Sequence, residues 1–193
     1  MLERLLEYER EWFFAINGSH RWWLDHLMFA FAGIWAWLPL TLVPLYFLLK
    51  RRKEWVLTLI CTILTGVINL FVTALFFKPL FKRFRPTHHP SFMDDVRILN
   101  DYIASGDYSF ISGHSTNAFA FAAMSALIVK NKWYSFAIFI WAVMMAYSRV
   151  YLGAHFITDV IPGMLTGALI GWLLYLLYKF MRNKKEERLK SKN

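Results

Sequence analysis

Apolar residues run through this chain in long blocks, and the breaks between the blocks carry the charge. Four blocks, roughly Leu27–Leu49, Trp55–Phe77, Trp133–Tyr151 and Phe156–Phe180, are long enough to cross a bilayer. Crossing takes about 20 residues of helix, with a lower limit near 17. Unbroken runs of this length read as helices, because in hydrocarbon a helix satisfies its own backbone. A fifth block, His114–Val129, is shorter and starts polar. It suits a span whose ends are buried in protein. Leu2–Ile16 differs from all of these. Leu2, Leu5, Leu6, Trp12, Phe13 and Ile16 are interleaved with charges, as in an amphipathic helix lying in the membrane interface. The expected fold is all-α, a polytopic membrane bundle of about five or six helices including that N-terminal helix. One integral membrane domain is expected over 1–193, with 1–20 interfacial, 78–113 a long outer loop and 181–193 a basic cytoplasmic tail.

Composition strengthens the membrane reading. Hydrophobic residues make up 58% and aromatic residues 19%, far above the apolar share of a soluble domain. Trp22, Trp23, Trp35, Trp37, Trp133 and Trp172 lie mostly near block ends, where an aromatic belt belongs. The net charge of +9 would suggest nucleic acid in a soluble protein. Here the cations gather at block ends and no nucleic-acid signature interleaves with them, so the implied partners are anionic headgroups or phosphate substrates. The lone Cys61 excludes an intrachain disulfide. "MLERLLEYEREWFFAING" lacks the basic region and small-residue cleavage site of a signal peptide.

Loop charge sets the expected orientation. With five spans, "KRRK" (50–53), "KNK" (130–132) and the basic tail share one side, which the positive-inside rule makes cytoplasmic. The opposite side receives the N-terminal helix, the 78–113 loop and "SRVYLGAHFITD" (148–159). "KPLFKRFRP" (78–86) puts four cations on that outer side. Charge that breaks the rule points to function rather than topology.

Three outer segments converge there: "KPLFKRFRP", "SFISGHS" (109–115) and "SRVYLGAHFITD". Their inventory is that of a phosphate site. Lys78, Arg85 and Arg149 supply cations, the arginines suited to bidentate oxygen contacts. Ser112 and Gly113 precede a helix whose N-terminal amides bind anions. His114 begins that helix and suits a general acid. His155 and Asp159 are four apart, so on one helix they share a face, and Asp159 then orients a histidine nucleophile. Arginine and lysine stabilise a transferring phosphoryl group without a metal. Lys82, Arg83, His88 and His89 read as loop solvation or headgroup contacts, and Asp94, Asp95, Asp101 and Asp107 as solvated acids. A metal cluster of His88, His89, His114 and His155 would lack any compact ligand spacing.

The set Lys78-x6-Arg85-Pro86, Ser112-Gly113-His114 and Ser148-Arg149-x5-His155-x3-Asp159 resembles the three-part signature of the type-2 phosphatidic acid phosphatase superfamily. Ile111 departs from it, standing where the family usually has proline. The resemblance implies that His155 forms a phosphohistidine, Asp159 orients it, and His114 protonates the leaving oxygen and then activates water. Lys78, Arg85, Arg149, Ser112 and the Gly113 amide bind the phosphoryl oxygens. The implied protein is a bacterial inner-membrane, multi-pass lipid phosphatase facing the periplasm or exterior, with no cofactor. The leading substrate is a polyprenyl diphosphate such as undecaprenyl diphosphate, with phosphatidylglycerophosphate and a lipid A phosphate as alternatives. A non-catalytic lipid-phosphate binding or flipping protein is the rival of another class, but it would need the cations without His155, Asp159 and His114. The oligomeric state is not legible.

Overall fold

The apolar blocks become helices, with breaks and extensions where the sequence reading drew none. The computed structural model describes residues 2–50 and 54–191. Arg51, Arg52 and Lys53 of the "KRRK" loop, with Met1, Lys192 and Asn193, lie outside the described residues. The helices are α1 (Leu2–Asn17), α2 (Trp22–Ala30), α3 (Leu38–Lys50), α4 (Trp55–Asn69), α5 (Lys78–Phe81), α6 (Gly113–Val129), α7 (Lys132–Tyr151) and α8 (Ile157–Lys190). A π-helical stretch, Leu70–Phe77, joins α4 to α5, so that Trp55–Phe81 makes one span. Lys132–Tyr151 and Ile157–Lys190 are also long and apolar enough to cross a membrane.

The first block is not a single straight span. α2 and a 3-10 turn plus α3 meet at a 59° bend. Gly33 is extended there, and Pro39 sits in the first turn of α3, where its fixed φ suits a helix start. Among the described residues, three helices, or four if the bent pair crosses as one, are long and apolar enough to span on their own. α6, the expected fifth, has 17 residues and is buried along most of its length. It is packed by protein rather than lipid, so its length need not match the bilayer. The basic tail is largely helical. α8 carries helix through it to Lys190, with Arg182 and Glu186 paired at 3.2 Å one turn apart.

The contact between α6 and α8 sets the centre of the fold. Gly163, Gly167 and Gly171 stack at four-residue spacing on the α8 face toward α6. A Cβ on Gly167 would lie 2.2 Å from the Thr116 carbonyl oxygen, and one on Gly171 2.2 Å from that of Ala120. Small residues at this spacing let membrane helices approach backbone to backbone. We expect Gly167→Leu to force the pair apart, lowering the thermal midpoint in detergent by several degrees and losing most activity. Overpacking of this kind costs about 1–3 kcal/mol or more. An unchanged midpoint would show that the helices separate freely.

α1 turns a mixed face inward. Glu9, Phe13 and Asn17 are buried, whereas Leu5, Leu6 and Trp12 are exposed. Its apolar residues are thus divided, with Phe13 and Ile16 packed on the protein and Leu5, Leu6 and Trp12 left exposed. Asn17 ties this end of the bundle together. It donates to the carbonyls of Arg97 (3.0 Å) and Tyr151 (2.9 Å) and accepts from the Arg97 amide (2.9 Å). Arg97 also bonds Asp25 at 2.8 Å, and the Tyr151 hydroxyl donates to the same carboxylate. The 82–112 loop is therefore clamped to α1, α2 and α7.

Candidate active site

The backbone builds the site at the end of the bundle that carries the 82–112 loop. α7 ends at Tyr151, and Gly153 adopts φ +73°, the left-handed conformation natural to glycine. A Cβ there would also meet Val96 at 2.8 Å. The turn lets the amides of Ala154 and His155 donate back to the Arg149 carbonyl at 2.9 and 3.2 Å. His155 therefore sits in the turn before α8, not on the helix as the four-residue spacing suggested. Asp159 lies in the first turn of α8, and its Oδ2 accepts from the Phe156 amide at 2.9 Å. The two side chains still face each other, with Nδ1 3.6 Å from Oδ2. That separation is longer than a hydrogen bond and leaves room to tighten when the ring gains charge.

Arg85 reaches the ring from the other side. Its Nη1 lies 3.0 Å from His155 Nε2 and donates to the Ala154 carbonyl at 2.8 Å. Nε and Nη2 donate to the carbonyls of Gly106 (2.6 Å) and Ser105 (3.0 Å). A guanidinium only donates, so Nε2 is the acceptor in this pair and the ring proton belongs on Nδ1, toward Asp159. Nε2 thus presents its lone pair to the cationic side of the site.

Arg149 is 1% exposed and just as firmly held. Ser148 accepts from Nε (3.0 Å) and Nη2 (2.8 Å), Tyr102 accepts from Nη1 (3.0 Å), and the Phe31 carbonyl accepts from Nη2 (3.1 Å). The bend after α2 therefore has a use: it brings a backbone carbonyl to a buried cation. The same bend carries Trp37, whose ring lies 5.5 Å from that of His114. Ser112 caps α6, with its Oγ accepting from the Ser115 hydroxyl at 2.9 Å, and its amide donates to the Asp159 carbonyl at 3.0 Å. That bond links the start of α6 to the start of α8. Gly113 opens the helix beside Thr73, 3.2 Å from the position a Cβ would take. Lys78 is half-buried at the start of α5. His114 follows Gly113 in the first turn of α6, and the stretch that holds Thr73 leads directly into Lys78. All eight expected residues thus converge on one end of the bundle. Ile111, the departure from the signature, is fully buried.

Burial is the main influence on His155. The Asp159 carboxylate opposes it and the Arg85 and Lys78 charges reinforce it, bringing the ring from its ordinary 6.5 down to about 4. At pH 6 the ring is neutral and nucleophilic. Because the folded value is the lower one, its stabilising contribution is present above about 6.5 and is lost as pH falls toward 4. We expect ¹⁵N-histidine NMR of the detergent-solubilised protein to show His155 neutral at pH 6. A midpoint at 6.5 would contradict this environment.

Four residues outside the expected set support the site. Tyr102 holds Arg149. Ser148 was part of the signature but had no assigned role. Arg83 corrects the sequence reading: it is not loop solvation. Its Nη1 lies 2.7 Å from Asp159 Oδ1 and donates to Thr158 at 2.7 Å, and its Nη2 pairs with Glu9 of α1. Glu9 also accepts from the Thr158 hydroxyl. Lys82 is exposed at the left-handed end of α5. His89 stacks on Phe92 at 4.0 Å, and His88 bonds Thr87 at 3.1 Å.

A family model described as the PAP2 superfamily matches residues 54–183. The chain is 37% identical over 185 residues to a lipid A 4'-phosphatase of Porphyromonas gingivalis, covering 95% of this chain and 78% of that one. It is 28% identical over 178 residues to the undecaprenyl-diphosphatase BcrC of Bacillus subtilis, covering 89% and 85%. Among solved structures it resembles a transmembrane PAP2-type phosphatidylglycerolphosphate phosphatase from Bacillus subtilis, with TM-score 0.68 and 24% identity, over 94% of this chain and 87% of that one.

Proposed function

The chain belongs to the PAP2 superfamily and is a membrane lipid phosphatase, and from that premise we propose that it removes a phosphate monoester from a lipid A-type glycolipid at the outer membrane–water boundary. The observation that carries the substrate class is the likeness to a lipid A 4'-phosphatase, at 37% identity over 95% of this chain. It ranks above undecaprenyl diphosphate, the leading expectation from the signature, because the BcrC likeness is weaker at 28%.

His155 Nε2 attacks phosphorus in line with the departing sugar oxygen. As the N–P bond forms and the P–O bond breaks, His114 gives that oxygen a proton. The arriving phosphoryl oxygens take over donors now spent on the enzyme, above all the Arg85 Nη1 proton that covers Nε2. Lys78, Arg85, Arg149, Ser112 and the Gly113 amide carry the developing charge. Water then attacks phosphorus, His114 takes its proton, and Nε2 is released with inorganic phosphate. Asp159 steadies the imidazolium-like ring throughout. The charge-stabilising work is done by side chains, so turnover should survive EDTA. Vanadate should compete, because its trigonal-bipyramidal adduct on histidine mimics the transferring group.

The testing experiment is phosphate release by the purified protein from bis-phosphorylated lipid A, undecaprenyl diphosphate and phosphatidylglycerophosphate, with and without EDTA. The expected result is loss of one lipid A phosphate in both conditions. Turnover of undecaprenyl diphosphate with lipid A untouched would favour the diphosphatase reading. Loss of turnover in EDTA with recovery on adding a divalent ion would sink the mechanism. The site end should face the periplasm or exterior. Lys130, Lys132 and the Lys/Arg-rich end of α8 lie at the other end. A cysteine at Asp101 should label from outside and one at Lys184 only after permeabilisation.

A further inference from the structure

We infer that Arg83 is a positioning residue for phosphoryl transfer: anchored by Glu9 of α1, it fixes the Asp159 carboxylate and, through it, the ring of His155. The inference rests on the reading of His155 as nucleophile. Arg83 is one of the six unspecified residues between Lys78 and Arg85 in Lys78-x6-Arg85-Pro86, and the signature assigns it no role.

The geometry is a four-member chain. Asp159 is fully buried, and a buried carboxylate must be paired. Its Oδ2 takes the Phe156 amide at 2.9 Å and faces His155 Nδ1 at 3.6 Å. Its Oδ1 takes Arg83 Nη1 at 2.7 Å. The two oxygens are thus divided between the backbone and ring on one side and Arg83 on the other, which fixes the plane of the carboxylate. Arg83 in turn cannot swing. Its guanidinium lies 4.4 Å from the Phe156 ring centroid, its Nη1 also bonds Thr158, and its Nη2 is paired with Glu9. Arginine suits this place because its planar fork meets Asp159 and Glu9 with different nitrogens, which the single ammonium of lysine cannot reproduce. Arg83 touches no reacting atom. It acts through Asp159, so its loss should misorient the nucleophile and leave the phosphate-binding groups in place.

Arg83 and Glu9 also line a cavity of about 590 Å³ between α1 and the 82–112 loop. A shorter side chain at either position therefore meets open space rather than packed core. This favours folded variants. The experiment compares Arg83→Gln, Arg83→Lys and Glu9→Gln with the parent in detergent, using an aryl phosphate and a lipid phosphate. Rapid-quench phosphohistidine yield and the ¹⁵N and Nδ1–H resonances of His155 are recorded for each. Misplacing a catalytic group by about 1 Å can cost up to about 10²-fold. Arg83→Gln should lower kcat by that factor with KM little changed, slow phosphohistidine formation and shift the His155 resonances. Arg83→Lys should recover part of the loss, and Glu9→Gln should show a smaller loss of the same kind.

A folded Arg83→Gln protein with parental kcat and unchanged His155 resonances would overturn the inference. So would a rise in KM alone, which would make Arg83 a headgroup contact. If Arg83→Gln fails to fold, the same two readouts on Arg83→Lys and Glu9→Gln decide. His155→Ala run in parallel separates the two failures. If it still forms phosphoenzyme, the functional reading itself is wrong. If it is inactive while the Arg83 and Glu9 variants run at full speed, only the positioning role falls.

Discussion

His155→Ala should yield neither phosphohistidine nor product. The substitution removes the nitrogen that bonds phosphorus, and no neighbouring group replaces it: the adjacent cations only donate, and Asp159 is held by Arg83 and the Phe156 amide. His114→Ala leaves that nitrogen and most of the cation cradle. Its defect falls on leaving-group protonation and on water activation. General acid–base assistance is worth about 10²–10⁴-fold, so trace activity should remain. The gap between the two variants identifies their roles. An aryl leaving group departs without a proton, so with an aryl phosphate His114→Ala should recover phosphoenzyme formation while His155→Ala stays inactive. Asp159→Asn should fall between them, since it weakens both the orientation of the ring and the pairing with Arg83. Rapid quench with labelled substrate, followed by detection of acid-labile phosphohistidine, measures all three. An intermediate in His155→Ala, or its absence in His114→Ala with the aryl substrate, would exchange the assignments.

Much of this site was legible because its chemistry depends on residue type at fixed spacing. Lys78 and Arg85 flank one loop, Ser112 to His114 open one helix, and Arg149, His155 and Asp159 frame one turn. Those distances along the chain are short, and the membrane compels the helices that carry them. The misses are of another kind. Arg83 meets Glu9 and Asp159 from 74 and 76 positions away in sequence. A pairing between distant segments leaves no periodic trace, and solvation was the natural reading for a loop arginine. The bend after α2 was hidden by uniform hydrophobicity, since apolar residues on both sides of Gly33 give a continuous block whether or not the helix continues. The stripe Gly163, Gly167 and Gly171 was readable as small residues every fourth position, but spacing alone does not name the partner helix. Only the packing of α8 on α6 shows that the stripe brings the Ser112–His114 segment against the His155–Asp159 turn.

Arg149→Lys should lower kcat/KM by about 10²–10³-fold, the range for loss of one preorganised donor to a developing oxyanion. The positive charge is kept, so the experiment separates charge from geometry. Arg149 spreads its N–H groups over the Ser148 and Tyr102 hydroxyls and the Phe31 carbonyl, and this holds the fork rigid before phosphate arrives. An ammonium has three donors on one rotatable centre. It cannot satisfy those partners and still present a fixed N–H to phosphorus-bound oxygen. Tyr102→Phe removes only one of the supports. A single net hydrogen bond is worth about 0.5–1.5 kcal/mol, so its effect should be no more than roughly tenfold. Vanadate inhibition should weaken in parallel with kcat/KM in both variants, because the inhibitor uses the same fixed donors as the transferring group. Parental activity in Arg149→Lys would mean that the site needs a cation at this position and nothing of its shape. The hydrogen bonds that Arg149 donates to Ser148, Tyr102 and the Phe31 carbonyl would then serve the packing of α7 against the bend rather than the chemistry.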